Sequence, residues 1–171
     1  GCMSYGDPGW RPWILSEDQA GPHFRAAFDA GITTFDTATV YGDGHSERIL
    51  GKALSDVRER VVIATKVGNE MGPDRKGLSK PYILRAVEDS LRRLQTDYLD
   101  VYQIHDIEYG KKEQIIGETL PAMFKLKEAG KVRFVGITGY PLGIGLIGRN
   151  LLDYYYGEVV ANLSPTRSVL V

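Results

Sequence analysis

The 171-residue sequence lacks most of the features that mark secreted, membrane-spanning or nucleic-acid-binding proteins. Its single cysteine, Cys2, excludes a disulfide within the chain and suits a reducing compartment. No apolar run approaches the ~18 residues that a membrane helix requires. With 21 basic and 22 acidic residues, the net charge of −1 gives no electrostatic case for binding nucleic acid or an anionic membrane. We therefore expect a soluble cytoplasmic protein without a signal peptide.

Metal ligands are also sparse in the sequence. The three histidines, His23, His45 and His105, are scattered along the chain and have no cysteine partners. Zinc sites need closely spaced sets of these two residue types. We therefore expect no metal site.

The length and the order of apolar runs limit the possible folds. A chain of 171 residues suffices for one domain, 1–171, and is too short for two comfortable ones. Short, β-branched and nearly continuous apolar runs are typical of strands buried on both faces of a parallel sheet. Four such runs lie at residues 31–38, 60–67, 98–105 and 132–138.

Helical patterns separate these runs, at residues 16–31, 46–54 and 112–129, with another that begins after Ser79. The pattern at 112–129 turns Ile116 and Leu120 inward and stops at Gly130. Pro121 within it either kinks the helix or begins a second one. Strand and helix in alternation predict right-handed βαβ units, in either an open doubly wound sheet or a (β/α)8 barrel.

Three charged or titratable residues lie at or beside the carboxyl ends of three successive runs. Asp36, Lys66 and His105 are spaced by 30 and 39 residues, one βα unit for each step. Because the carboxyl ends of parallel strands form the ligand-binding edge, we expect these side chains to converge. Tyr41 follows in the first βα loop, in the part of such folds that carries chemistry.

These four residue types form a consistent set for proton transfer to a carbonyl group. An ammonium beside a phenol lowers the phenol's pKa, and a carboxylate paired with that ammonium holds it in place. A neutral histidine can donate a hydrogen bond that orients the carbonyl oxygen. Since no side chain supplies a hydride, the chemistry implies a nicotinamide cofactor. Taken singly, the lysine could be a solvated loop residue, the histidine structural, and Asp36 the cap of a turn.

Four stretches of the sequence resemble the aldo-keto reductase family. The segment "GITTFDTATVYGDGHSERILGKAL" is similar to the family signature around the catalytic Asp and Tyr, and "VVIATKVG" to the strand with the catalytic Lys. The segment "SLRRLQTDYLDVYQIH" resembles the passage that ends in the catalytic His, and "LKEAGKVRFVGIT" the next helix and strand.

This resemblance implies a (β/α)8 barrel, a cofactor that is NADP or NAD, and a small-molecule carbonyl or sugar substrate. Residue by residue, it implies the catalytic set Asp36, Tyr41, Lys66 and His105, with tyrosine as the proton donor. Thr138 and Gly139 lie where many members carry a Ser-Asn pair beneath the nicotinamide amide. We therefore expect these two residues at the cofactor.

A narrower resemblance, in "ETLPAMFKLKEAGKVRFVGITGYPLG", is to the branch that contains L-galactose and D-arabinose dehydrogenases. Members of that branch oxidise the anomeric carbon of a sugar to a lactone. The opening "GCMSYGDPGWRPW" is more similar to bacterial reductases of broad aldehyde scope. Trp10 and Trp13 in this opening are interpreted either as stacking surfaces for the substrate or as simple packing over the barrel mouth.

The length of the chain conflicts with a complete barrel, which needs ~250 residues. We therefore expect an incomplete barrel that lacks part of its C-terminal half, with a possible further strand at 158–163. Unpaired strand edges would favour self-association. The alternative to an enzyme is a catalytically inactive truncated fragment or an interaction module of the same fold. A G-x-G-x-x-G pattern at 143–148 is interpreted as a glycine-rich loop, because Pro141 and its neighbours separate it from the preceding strand.

Overall fold

The computed structural model describes residues 1–139 and a strand at 168–170. The possible strand at 158–163 and the glycine-rich pattern at 143–148 lie outside the described residues. The strands are β1 (Thr34–Asp36), β2 (Val62–Val67), β3 (Leu99–Ile104), β4 (Val132–Thr138) and β5 (Ser168–Leu170). The helices are α1 (Glu17–Asp29), α2 (His45–Leu54), α3 (Lys80–Leu94), α4 (Lys112–Gln114) and α5 (Leu120–Glu128), with short 3₁₀ segments at Tyr41–Gly44, Ser55–Arg60 and Ile107–Tyr109.

The strands form one sheet in the order β1-β2-β3-β4-β5. The first four pair in parallel, and β5 pairs antiparallel with β4. All four predicted strands are present, and β4 matches its predicted bounds. The others are shorter than predicted, because hydrophobicity extends past the residues that form the hydrogen-bonded ladder. In the first run, for example, Ile32 is exposed before β1 begins.

The register of the sheet separates its two faces. Lys66 pairs with Gln103 and Gln103 with Gly136, so these positions share one face, together with Thr138 two residues further on. The intervening positions, such as Ile63 and Tyr102, point to the other face and join the helices in a single apolar cluster. The first face therefore carries the polar residues and can present them to a ligand.

Pro121 explains why the sequence predicted the wrong buried residue in the helix at 112–128, where Ile116 was expected to face inward. The helix at 112–128 contains a π-helical turn at Ile115–Thr119, directly before Pro121 in the first turn of α5. Proline donates no backbone hydrogen bond and crowds the preceding turn, and a wider turn removes that conflict. The extra residue moves Ile115 into the core and leaves Ile116 only half-buried. The predicted stop is confirmed by Gly130, whose φ is +75°.

A buried carboxylate holds together the end of the sheet that lies opposite the polar strand termini. Asp100 accepts a hydrogen bond from the Ile63 N–H and pairs with Arg58 and Arg133, each at 2.9 Å. Both guanidinium groups also stack on the Tyr98 ring, 4.0 and 4.4 Å from its centroid. A charge this deeply buried requires such partners, because removing one of them would leave an uncompensated charge inside the protein.

The described part of the chain holds neither a membrane-spanning helix nor a cluster of metal ligands. Within residues 1–139 and 168–170, no helix is long and apolar enough to cross a bilayer. In the same part of the chain, no group of three His, Cys, Asp or Glu side chains could hold a metal ion.

Candidate active site

Lys66 lies at the centre of the polar cluster at the carboxyl ends of the strands. Its side chain is only 7% exposed, so its ammonium needs partners inside the protein. Nζ donates to Asp36 Oδ2 at 2.7 Å and to the Thr37 carbonyl oxygen at 2.8 Å. It also lies 3.5 Å from the Tyr41 hydroxyl. The structure therefore brings three of the four predicted catalytic residues into direct contact.

Tyr41 begins a tight turn in the loop that follows β1. Gly42 and Asp43 have φ values of +57° and +53°, which reverse the chain and leave the tyrosine ring facing the sheet end. The ring centroid lies 5.1 Å from Lys66 Nζ and 5.8 Å from the His105 ring, edge to face. Burial raises the pKa of Tyr41 above its ordinary value, and the ammonium of Lys66 offsets part of the rise. The phenol is therefore protonated at neutral pH and can act as a proton donor.

His105 completes the cluster from the end of β3. Its backbone N–H donates to the Val67 carbonyl oxygen at 2.8 Å, which places the imidazole beside the end of β2. Burial first, and then the positive charge of Lys66, hold the pKa of His105 below its ordinary value. The ring is therefore neutral at physiological pH, as the proposed hydrogen-bonding role requires.

Two further polar residues belong to the same cluster and were missed by sequence reasoning. The Asn69 amide nitrogen lies 3.2 Å from His105 Nδ1. Gln103 is buried on the Lys66 face of the sheet. The period of two along β3 could have identified Gln103, because it lies two positions before His105. Asn69 gave no signal, because a loop residue's side-chain direction does not follow from spacing.

Thr138 and Gly139, predicted at the cofactor, lie at the end of β4 on the edge of this cluster. The Asp106 N–H donates to Thr138 Oγ1 at 3.0 Å, so this hydroxyl ties β4 to the loop after β3. Gly139 is buried, and a Cβ atom there would overlap the carboxylate of Glu108. A larger residue at this position would therefore require the Glu108 side chain to move.

Trp10 and Trp13, predicted at the substrate, lie in the loop before α1. Both indoles are exposed, and their ring centroids are 6.5 Å apart in an edge-to-face arrangement. The start of this loop approaches the tyrosine turn, because a Cβ atom on Gly6 would lie 3.4 Å from Gly42 Cα. The indoles are absent from the lining of the cavity beside His105, so the structure does not place them with the polar cluster around Lys66.

A cavity of about 530 Å³ opens directly beside His105. Its walls come from the loops after β2 and β3 and from the first turns of the helix at 112–128. Polar and charged side chains contribute much of the lining: Asn69, His105, Asp106, Lys111, Gln114 and Glu118. A cavity with this mixture of donors and acceptors suits a ligand with several hydroxyl groups.

Comparison with known proteins gives one family. Residues 1–145 match the model of the Aldo/keto reductase family. L-galactose dehydrogenase of Arabidopsis thaliana is 45% identical over 134 residues, which cover 76% of this chain and 41% of that protein. Versiconal hemiacetal acetate reductase of Aspergillus parasiticus is 40% identical over 158 residues, which cover 80% of this chain and 45% of that protein.

Solved structures agree with this match. An aldo-keto reductase from Bacillus halodurans in its holo form superposes with a TM-score of 0.74 at 38% identity, over 90% of this chain and 48% of that one. An aldo-keto reductase from Klebsiella pneumoniae in complex with NADPH gives 0.67 at 37%, over 78% and 44%. The chain thus spans less than half the length of these relatives. The predicted (β/α)8 fold class is confirmed, and the four parallel strands correspond to part of that barrel.

Proposed function

Because the chain belongs to the aldo/keto reductase family, we propose that it acts as an NAD(P)-dependent oxidoreductase on an aldehyde or a sugar. The reaction interconverts a carbonyl with its alcohol, or an aldose anomeric centre with its lactone. The contact of Lys66 with both Asp36 and Tyr41, beside a neutral His105, carries this proposal.

Each residue of the cluster has one role in the reducing direction. Tyr41 gives its proton to the carbonyl oxygen, and Lys66 stabilises the phenolate that remains. Asp36 holds the ammonium in place through its 2.7 Å contact. His105 donates a hydrogen bond to the same oxygen, so charge that develops there meets a donor fixed in advance.

The residues present fit the nicotinamide end of NADP or NAD, which supplies the hydride when bound. Gln103 offers a buried amide on the same face of the sheet as Lys66. Thr138 and Gly139 lie at the neighbouring strand end, where the Glu108 carboxylate packs directly against Gly139. The Klebsiella pneumoniae relative in complex with NADPH supports this assignment.

The substrate is proposed to be polyhydroxylated. The cavity beside His105 is lined largely by polar groups, and one similar protein is an L-galactose dehydrogenase. Trp10 and Trp13 lie outside that cavity, and their exposed indoles are proposed as a surface on which a sugar ring could stack. L-galactose is therefore the first substrate to test, together with simple aldehydes.

A second candidate is an inactive fragment or an interaction module of the same fold. Two observations favour it: the chain covers only 41–45% of its curated relatives, and apolar Val62 and Phe134 are exposed. Their register with Lys66 and with Val101 places both on the face that a barrel would enclose. Such a face favours self-association, which size-exclusion chromatography detects as a species larger than 19.0 kDa.

The experiment that tests the assigned roles is Tyr41→Phe, with Tyr82→Phe as the matched control. Tyr82 lies on α3, away from the site, and keeps its ring under Arg85 in either form. We expect Tyr41→Phe to lower kcat by about 10²–10⁴-fold, with cofactor affinity retained. The Tyr82→Phe variant should keep its turnover. Full activity in a Tyr41→Phe chain that binds cofactor would overturn the proton-donor role.

A further inference from the structure

Asn69 contacts the proposed catalytic cluster through the imidazole of His105. Its amide Nδ2 lies 3.2 Å from Nδ1 of that ring. We propose that Asn69 is a positioning residue that keeps the proton of neutral His105 on Nε2, the nitrogen left free for the substrate oxygen. This inference rests on the proposed function for its catalytic meaning, although the protonation pattern can be measured without any activity.

The chemistry of the two side chains carries the inference. An amide nitrogen only donates hydrogen bonds, so Nδ1 must accept and cannot carry the proton. A neutral imidazole has one proton, which is then on Nε2. The closest carboxylate, Asp106 Oδ2, lies 3.9 Å from Nε2, beyond hydrogen-bonding distance. Nε2–H is therefore available as a donor to a carbonyl oxygen.

The charges around His105 favour its neutral form, in which the choice of tautomer matters. Burial and the ammonium of Lys66 lower its pKa, and together they outweigh the opposite effects of Asp106 and Asp36. The Tyr41 ring packs against the imidazole and is uncharged at neutral pH. A positively charged ring carries a proton on both nitrogens. It then has no acceptor for the amide nitrogen of Asn69, and the contact between them could not form.

The backbone fixes Asn69 in this position. Gly68, immediately before it, has a φ of +130°, and its carbonyl accepts a hydrogen bond from Gly77 at 3.0 Å. A Cβ atom on Gly68 would lie 3.0 Å from the Leu78 side chain, so the turn is closely packed. His105 is tied to the same strand end through its N–H and the Val67 carbonyl, 2.8 Å apart. The two side chains are therefore held on adjoining ends of paired strands.

The first test is the ring-nitrogen spectrum of His105 in the unmodified chain, by long-range proton–nitrogen NMR near neutral pH. With only three histidines in the chain, the signals lost in His105→Gln identify the ring. We expect a protonated Nε2 and an unprotonated Nδ1. A protonated Nδ1, which would mean that the amide oxygen faces the ring, would overturn the inference whatever the activity of the protein.

The second test reverses the contact with Asn69→Asp. A carboxylate only accepts, so Nδ1 should take the proton, and the added negative charge should raise the pKa of His105. Loss of the donor to the developing oxyanion should lower kcat by about 10²–10³-fold and move the pH profile upward. The control is Glu70→Gln in the same loop, whose pairing with exposed Lys76 does not involve His105.

The outcomes separate this inference from the proposed function. Retention of the Nε2 proton in the neutral ring of Asn69→Asp, measured above its raised pKa, or unchanged turnover after the tautomer has reversed, would contradict the positioning role. The signals of His23 and His45 report whether each variant is folded. If Nε2 carries the proton but no substrate is turned over, the proposed function fails and the placement of the proton stands.

Discussion

Replacing Asp100 with alanine tests how the end of the sheet opposite the candidate active site is held together. The carboxylate is 4% exposed and pairs with Arg58, whose side chain is 12% exposed. Removing one partner of a buried pair leaves the other charge uncompensated, at a cost of about 3–5 kcal/mol. Arg58 keeps hydrogen bonds to Thr96 and to the Val61 and Tyr98 carbonyl oxygens, so we expect the lower end of that range. About 3 kcal/mol corresponds to a fall of about 6–12 °C in Tm for a chain of this size.

Urea unfolding followed by circular dichroism measures this cost directly. The matched control is Asp56→Ala, because Asp56 pairs with Arg25 at a similar 2.8 Å but with side chains 63% and 41% exposed. An exposed pair contributes about 0–1 kcal/mol, so the control should unfold close to the parent chain. Equal losses of unfolding free energy in the two variants would refute the claim that the burial of the pair, rather than the pairing itself, sets the cost of removing the carboxylate.

Two further predictions concern packing and pH. Gly51→Ala should destabilise the chain by about 1–3 kcal/mol, because the added Cβ would overlap the Leu94 backbone. Gly117→Ala, where a Cβ meets nothing within 4 Å, should instead stabilise the chain by about 0.5–1 kcal/mol. If the urea midpoints of the two variants moved in the same direction, this prediction would be contradicted. The pKa of His105 is lower in the folded chain than in the unfolded chain, so its contribution to stability is present above the unfolded pKa and is lost as pH falls. The free energy of unfolding should therefore fall more steeply below about pH 6.5 in the parent chain than in His105→Gln, and equal slopes would count against it.

Much of the fold could be predicted because each apolar run and each helical pattern allowed only one type of secondary structure. The four apolar runs and their alternation with helices implied parallel pairing, and β4 was placed at its observed bounds. Pro121 was different, since a kink, a second start and a wider turn all satisfy its missing N–H. The choice depended on packing against the rest of the chain, and it decided whether Ile115 or Ile116 is buried.

The residues of the candidate site also fall into those that the sequence predicts and those that it does not. Asp36, Lys66 and His105 could be predicted to converge, because the strand ends of a parallel sheet meet at one edge. The contact of Asn69 with His105 could not, because it depends on the φ of Gly68 and on the packing of Leu78. The sequence also predicted that Lys66 would lower the pKa of Tyr41. In the structure, burial has the larger effect, and the pKa is raised overall.

Titration of the chain with NADPH and with NADH, followed by nicotinamide fluorescence, tests the central claim most directly. The proposed catalytic roles of Asp36, Tyr41, Lys66 and His105 can be exercised only if the hydride donor binds beside them. We predict saturable binding of at least one of the two cofactors, with a Kd below about 1 mM, a binding free energy of about −4 kcal/mol or stronger. No binding of either cofactor at about 1 mM would contradict the account and favour an inactive fragment of the same fold.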